Sequence, residues 1–275
     1  MKRLSLLSRA ALVGAAILSS TFAVADSDDN HRRDCRTLPT HAQLKAALDA
    51  AVSAEGSGLN HHMWATIVNR DGVVCAVAFS GTGRGAQWPG SRVISAQKAN
   101  TANAFSLDSG SSSNGSGQPA GLALSTANLY SAVQPGGSLF GLQHSNPVET
   151  EVGYKGPSPN HGSARDPMIG KKIGGVNVFG GGLALYNSDK KVVGALGASG
   201  DTSCADHNIA WLARHSLNLD FLSGVGGVSG DATRPDNIIF DITANPNGGT
   251  GISAGGFGHP QCLNTSGSDT LPAVQ

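Results

Sequence analysis

Histidine is the residue type in this chain best suited to metal or cofactor chemistry, because neutral imidazole is a common metal ligand. The chain has nine histidines. His207 and His215 lie eight residues apart in a helical pattern, about 12 Å along the axis, so they cannot share one ion. His41 opens the first predicted helix, and His144 lies among apolar residues in "SLFGLQHSNP". These two are the candidate metal ligands, although each also fits an ordinary surface position.

A lysine and a threonine share the inward face of a predicted helix. Ile94, Lys98, Thr101 and Phe105 fall on one helical stripe, so an amine lies among apolar side chains. A half-buried ammonium needs a carboxylate, a carbonyl or an anionic ligand. Lys98 could therefore hold a ligand carboxylate, or its stem could cover the core while its head reaches water or a structural partner. The Thr101 hydroxyl fits either a ligand contact or a bond to its own helix backbone.

The chain lacks the common phosphate-binding motifs and the zinc-protease motif. It contains no GxxxxGK[ST], GxGxxG or HExxH pattern. The three consecutive glycines at Gly180, Gly181 and Gly182 lie instead within the β-rich run "VNVFGGGLALYN". Glycines in such a run indicate a bulge, or a place where a helix, a ligand or a neighbouring backbone approaches closely.

The four cysteines predict two disulfides. An even cysteine count in an exported chain is typical of disulfide bonding, and four cysteines allow three pairings. We favour Cys35–Cys75 and Cys204–Cys262, because each bond would tie a terminal segment to the core. The absence of CxxC and CxxCH excludes thioredoxin-like, zinc-ribbon and covalent c-type haem sites.

The first 25 residues have the pattern of a cleaved secretory signal. Basic residues precede an apolar run that ends in "AVA", so we expect the mature protein to begin at Asp26 in the periplasm. No stretch is long enough for a membrane span. Loss of Lys2, Arg3 and Arg9 leaves 16 basic against 19 acidic residues. This slightly acidic balance argues against nucleic acid as a partner.

The N-terminal half of the mature chain predicts helices around a hairpin. Residues 40–55 form an amphipathic helix with Thr40 as its N-cap. Two strands meet at Asp71 and Gly72, and the second strand is apolar on both faces, which predicts a central position in the sheet. Residues 92–105 form the next helix, followed by a Gly/Ser-rich loop that we expect to be mobile.

The C-terminal half predicts a second hairpin and a last helix. A short helix covers 126–133, and residues 135–168 form a long loop insertion. Two β-rich runs flank Asn187, and Ser203 fits the N-cap of the last helix. Hairpin-linked strands predict an α+β fold with an antiparallel sheet and helices packed against it, one layer on another. We assign 26–275 to a single domain with a core over about 40–218 and a Gly/Pro-rich C-terminal extension over 219–275.

Four segments carry a resemblance to a known family. "KANTANAF" from Lys98, "GGVNVF" from Gly174, "VVGALGASG" to Gly200 and "ADHNIA" around Asp206 resemble the GlcG/HbpS-like haem-binding family, which includes the C-terminal domain of PduO-type adenosyltransferases. The family pattern is KAxTA, GGxP, GAIGVSG and then an acidic residue that opens the last helix. This chain departs from it at Asn177, where the pattern has proline, and in its insertion, cysteines and extension.

The resemblance implies a profilin-like fold, homo-oligomers and non-covalent binding of haem or a related tetrapyrrole. The resemblance does not settle the iron ligand, because His207 alone of the histidines falls within its motifs. If haem binds, the residues suggest His144 or His41 as the iron ligand and Lys98 near a propionate, with Thr101 or His207 as the next candidates.

Three classes of function stay open. The first is an exported haem carrier, scavenger or sensor. The second is an enzyme that acts on a small oxidised metabolite or on haem, and the third is a structural or accessory protein of a periplasmic pathway.

Overall fold

The computed structural model describes residues 35–111, 120–249, 251–264 and 267–275. The predicted signal segment 1–25, the mature start at Asp26 and the middle of the Gly/Ser-rich loop lie outside these residues. The helices and strands are α1 (His41–Ala54), β1 (Trp64–Asn69), β2 (Val74–Phe79), α2 (Ser91–Phe105), α3 (Thr150–Gly153), β3 (Gly182–Tyr186), β4 (Val192–Ser199), α4 (Ser203–Ser216), β5 (Ile242–Thr243) and β6 (Ile252–Ser253). Among the described helices, none combines the length and apolarity that a membrane crossing requires.

The main sheet has four antiparallel strands in the order β2-β1-β4-β3. Both predicted hairpins are confirmed. The prediction that β2 is central is wrong, because β2 is an edge strand. Its outer edge is covered by the segment that follows the insertion, where the Val74 N–H donates to the Lys171 carbonyl and the Gly170 N–H donates to the Val74 carbonyl. The strand is apolar on both faces because each face packs against a helix layer, with Ala76 and Ala78 in one core cluster and Val74 and Val77 in another.

Helices cover both faces of the sheet, so the predicted α+β class is confirmed but the two-layer arrangement is wrong. In β1, Ile67 packs in the cluster that contains Leu44 of α1 and Ile209 of α4. Val68, which points to the opposite face, packs with Val93 of α2. The sheet is therefore sandwiched between α2 on one side and α1 with α4 on the other.

The helix ends follow local capping chemistry. Thr40 caps α1 in a capping box with Gln43, as the sequence predicts. The N-cap of α4 is Thr202 and not Ser203, because the Ser203 hydroxyl instead accepts from the Gly180 N–H and bonds to His259. The predicted short helix over 126–133 consists of two 3₁₀ turns, Ala127–Leu129 and Ser131–Val133.

The glycine-rich run serves close packing. A Cβ at Gly181 would lie 2.3 Å from the Ala198 carbonyl oxygen, and its φ of +114° is unfavourable for other residues. A Cβ at Gly197 would lie 1.9 Å from the Ser95 carbonyl oxygen, so α2 rests directly on the backbone of β4. These contacts agree with the packing role expected from the sequence.

The terminal segments are joined to this core. The structure contains the disulfides Cys35–Cys75 and Cys204–Cys262, which are the favoured pairing. The C-terminal extension buries Val274 in the main core cluster and ends at Gln275, whose amide donates to Asp220.

Candidate functional site

A cavity of about 600 Å³ lies where the start of α1, the end of the first hairpin, the start of α2 and the insertion converge. Its floor is aromatic. Trp64 and Phe79 are cross-strand partners in β1 and β2, and their rings stack with centroids 4.2 Å apart. The Trp64 indole N–H donates to Gln87 at 3.1 Å, which fixes the ring. Tyr154 from the insertion lines the cavity with an exposed side chain. Trp64 itself is almost fully buried, so the apolar surface open to a ligand comes chiefly from Phe79 and Tyr154.

Its ionisable side chains are basic. His41, Lys45, Arg92 and His161 line the cavity beside neutral serine and threonine side chains, and among the described residues no aspartate or glutamate does so. Lys45 is partly exposed and pairs with Asp49 on the next turn of α1. A cavity with this composition favours an anionic ligand.

Arg92 is held in place by an acidic partner outside the cavity. Its side chain is buried and forms a bidentate pair with Asp166, with Nε 2.8 Å from Oδ2. Its Nη1 donates to the Gly153 carbonyl at 2.7 Å. Through these bonds Arg92 ties two points of the insertion, Gly153 and Asp166, to α2.

The two cavity histidines differ in their partners. His41 Nε2 lies 3.0 Å from the Gly162 carbonyl oxygen, so this nitrogen donates. His161 Nε2 is buried and has no hydrogen-bond partner among the described residues. Burial lowers the pKa of His161, and the Arg92 guanidinium lowers it further, against the opposing effects of Asp166 and of backbone hydrogen bonds with Lys155 and Gly156. The His161 imidazole is therefore neutral near pH 7 and can offer a lone pair.

Lys98 lies in a different place. It is fully buried, with Nζ 2.5 Å from Asp206 Oδ2, 3.1 Å from the Ala198 carbonyl oxygen and 4.2 Å from the centre of the Phe179 ring. Burial lowers the pKa of Lys98, while the Asp206 charge opposes that shift. Burial likewise raises the pKa of Asp206 to about 6, against the effect of Lys98. The sequence allowed either a ligand or a structural partner for the Lys98 ammonium, and in the structure that partner is Asp206.

The other three candidates do not reach the cavity. Thr101 Oγ1 donates to the Gln97 carbonyl and accepts from the Asn177 N–H, which ties α2 to the segment that precedes β3. His207 is fully buried, its Nε2 contacts Asn237, and burial lowers its pKa to about 4. His144 is exposed on the insertion.

Of the five candidates from the sequence, the structure thus places only His41 at the cavity. Trp64, Phe79, Arg92 and His161 line the cavity but were not predicted from the sequence as site residues. Trp64 and Phe79 could have been found as facing residues of the predicted hairpin, whereas His161 stands in an irregular loop with no periodic signal.

A family model described as "Haem degrading protein HbpS-like" matches residues 40–214, which include α1, both hairpins and most of α4. Two solved structures are similar at 24% identity over 65% of this chain. One is protein ORFY of Klebsiella pneumoniae, with a TM-score of 0.41 over 90% of that chain. The other is a PduOC:heme complex, with a TM-score of 0.42 over 91% of that chain. No curated protein matches the chain.

Proposed function

The chain belongs to the HbpS-like family of haem degrading proteins, and from this premise we propose that it binds haem non-covalently in the cavity described above. The observation that carries the proposal is the lining of that cavity. Two stacked aromatic rings, two histidines and two further basic residues line it, and no aspartate or glutamate of the described residues does so, although Lys45 and Arg92 each pair with a carboxylate outside the lining. A tetrapyrrole needs apolar walls for its ring, a donor for its iron and positive or N–H groups for its propionates.

The residues present fit this group. Phe79 and Tyr154 offer an apolar surface, His161 Nε2 offers a buried donor atom without a partner, and Lys45 offers a partly exposed cation for a propionate. Bound haem would supply a redox-active iron at this site. The protein's own contribution is to hold the ring, exclude water from one side and supply an imidazole.

We propose an exported carrier, scavenger or sensor as the biological role. The two disulfides support export, because such bonds persist in oxidising compartments. The signal pattern in residues 1–25 supports a periplasmic location. Homo-oligomers, which the family resemblance implies, are part of the same proposal and can be checked by light scattering.

Degradation of haem is the second candidate function, since the family description names that activity. It is tested by incubating the haem-loaded protein with ascorbate or peroxide in air. Loss of the Soret band that is faster than for free haem, with release of iron, would favour the enzyme. An unchanged band over the same time would favour the carrier, scavenger or sensor.

Haem titration of the mature protein tests the binding proposal. We expect a saturable Soret shift, and complete extraction of the pigment by acidified acetone. Gly90 lines the cavity and a Cβ there would meet nothing within 4 Å, so Gly90→Trp should obstruct the site. Gly110, which is equally open but does not line the cavity, supplies the control Gly110→Trp. Equal affinity of the two variants would contradict the proposed location.

A further inference from the structure

His161 has a buried and unused nitrogen, although the residue as a whole is only half-buried. Among the buried side-chain nitrogen and oxygen atoms that lack a hydrogen-bond partner in the described part of the chain, only His161 Nε2 belongs to a residue that lines the cavity. A buried polar atom is normally satisfied, so an unsatisfied one at a cavity indicates a group that a ligand completes.

The backbone beside His161 is held firmly. The Gly162 N–H donates to Asp166 Oδ2 at 2.7 Å, and the same oxygen accepts from Arg92 Nε. Gly162 has a φ of +75°, and a Cβ there would lie 2.7 Å from Phe79 Cβ and 2.9 Å from the Trp64 ring. The loop that carries the imidazole is therefore pressed against the aromatic floor and tied to α2.

His41 contributes to the same support. Its Nε2–H donates to the Gly162 carbonyl, so the ring is anchored to the residue that follows His161. Gly162 is thereby fixed through its N–H by Asp166 and through its carbonyl by His41. This arrangement makes His41 a positioning residue for the loop.

We infer that His161, through Nε2, is the protein's ligand to the haem iron, and that His41 and the Arg92–Asp166 pair position it. The inference rests on the proposed haem binding and identifies the atom that completes it. It differs from the expectation based on sequence, which favoured His144 or His41.

The test compares the full-length mature protein with His161→Ala, His41→Ala and His144→Ala, each titrated with ferric haem. We expect His161→Ala to lose the absorption and EPR signature of imidazole ligation and about tenfold or more of the affinity, and free imidazole to restore the signature. His41→Ala should keep the signature with weaker binding. The exposed His144→Ala should match the wild type in both respects.

The outcomes separate the inference from the function. If the wild type binds haem and His161→Ala retains its spectrum and affinity, the ligand assignment is wrong and the haem-binding proposal stands. If the wild type shows no saturable binding, the function itself fails.

Two further measurements apply if the alanine variant does not fold. His161→Gln keeps a polar side chain of similar length and should show the same loss of signature. In the wild type labelled with ¹⁵N-histidine, pulsed EPR should detect a histidine nitrogen bound to the ferric iron, and its absence would overturn the inference.

Discussion

Replacing Lys98 with methionine removes the cation of a fully buried ion pair while keeping most of the side-chain volume. Asp206 is then left with no access to solvent. Its Oδ1 still accepts from the N–H groups of Gly200 and Asp201, but Oδ2 loses the ammonium at 2.5 Å. Removing one partner of a buried pair costs about 3–5 kcal/mol, a large part of the roughly 5–15 kcal/mol that stabilises a typical domain.

Denaturant unfolding at pH 7, with the disulfides oxidised, measures this cost. Lys98→Met should lose about 3–5 kcal/mol of unfolding free energy. The double variant Lys98→Met/Asp206→Asn should lose at least about 1 kcal/mol less, because no uncompensated charge remains. As the control, Lys45→Met breaks a partly exposed pair with Asp49 and should change the free energy by no more than about 0.5 kcal/mol.

Two results would refute this reasoning. One is a Lys98→Met protein within about 1 kcal/mol of the wild type, which would mean that the pair contributes little to stability. The other is a stable variant that binds haem much more weakly, which would restore the ligand role that the sequence allowed for Lys98.

Three further predictions concern stability. Loss of the Cys204–Cys262 bond, which links residues 58 apart, should lower the unfolding free energy by about 4 kcal/mol, because the unfolded chain gains entropy. Denaturant unfolding of the double serine variant measures this loss, and a loss below about 1 kcal/mol would contradict the prediction. Gly181→Ala should lower the Tm strongly in calorimetry, because its Cβ meets a carbonyl oxygen at 2.3 Å, whereas Gly56→Ala, with nothing within 4 Å, should not; equal Tm values would be contrary evidence. The folded-state pKa of His207 is about 4, below the 6.5 of the unfolded chain, so the unfolded state binds this proton more readily. The unfolding free energy of the wild type should therefore fall by up to about 3 kcal/mol relative to that of His207→Gln as the pH falls from 7 to 4. A difference between the two proteins that does not change with pH would disprove the lowered pKa of His207.

The elements that local chemistry dictates were predictable from the sequence. The Thr40 capping box, the Asp71–Gly72 turn and the apolar stripe of α1 involve residues only a few positions apart. The edge position of β2 was not predictable, because the segment that covers it near Lys171 is about 100 residues away in the chain and has no strand pattern.

The candidate site was predictable only in part. The helical stripe on α2 correctly placed Lys98 inside the protein, although Ile94 and Phe105 on the same stripe are only half-buried. It left open whether a structural partner or a ligand would face the ammonium, and that partner is Asp206.

His161 was missed because its properties depend on tertiary contacts. His161 of the insertion lines the same cavity as Arg92 of α2, Trp64 of β1 and Phe79 of β2. The insertion is distant from the other three segments in the chain, so no spacing in the sequence predicts that they converge.

An anomalous difference map at the iron edge, from crystals of the mature protein grown with ferric haem, is the most direct test of the account. We expect one strong iron peak inside the cavity, within bonding distance of His161 Nε2 and beside the stacked rings of Trp64 and Phe79. An iron peak elsewhere, for example at the exposed His144, or a haem-free cavity in crystals of protein saturated with haem, would contradict it.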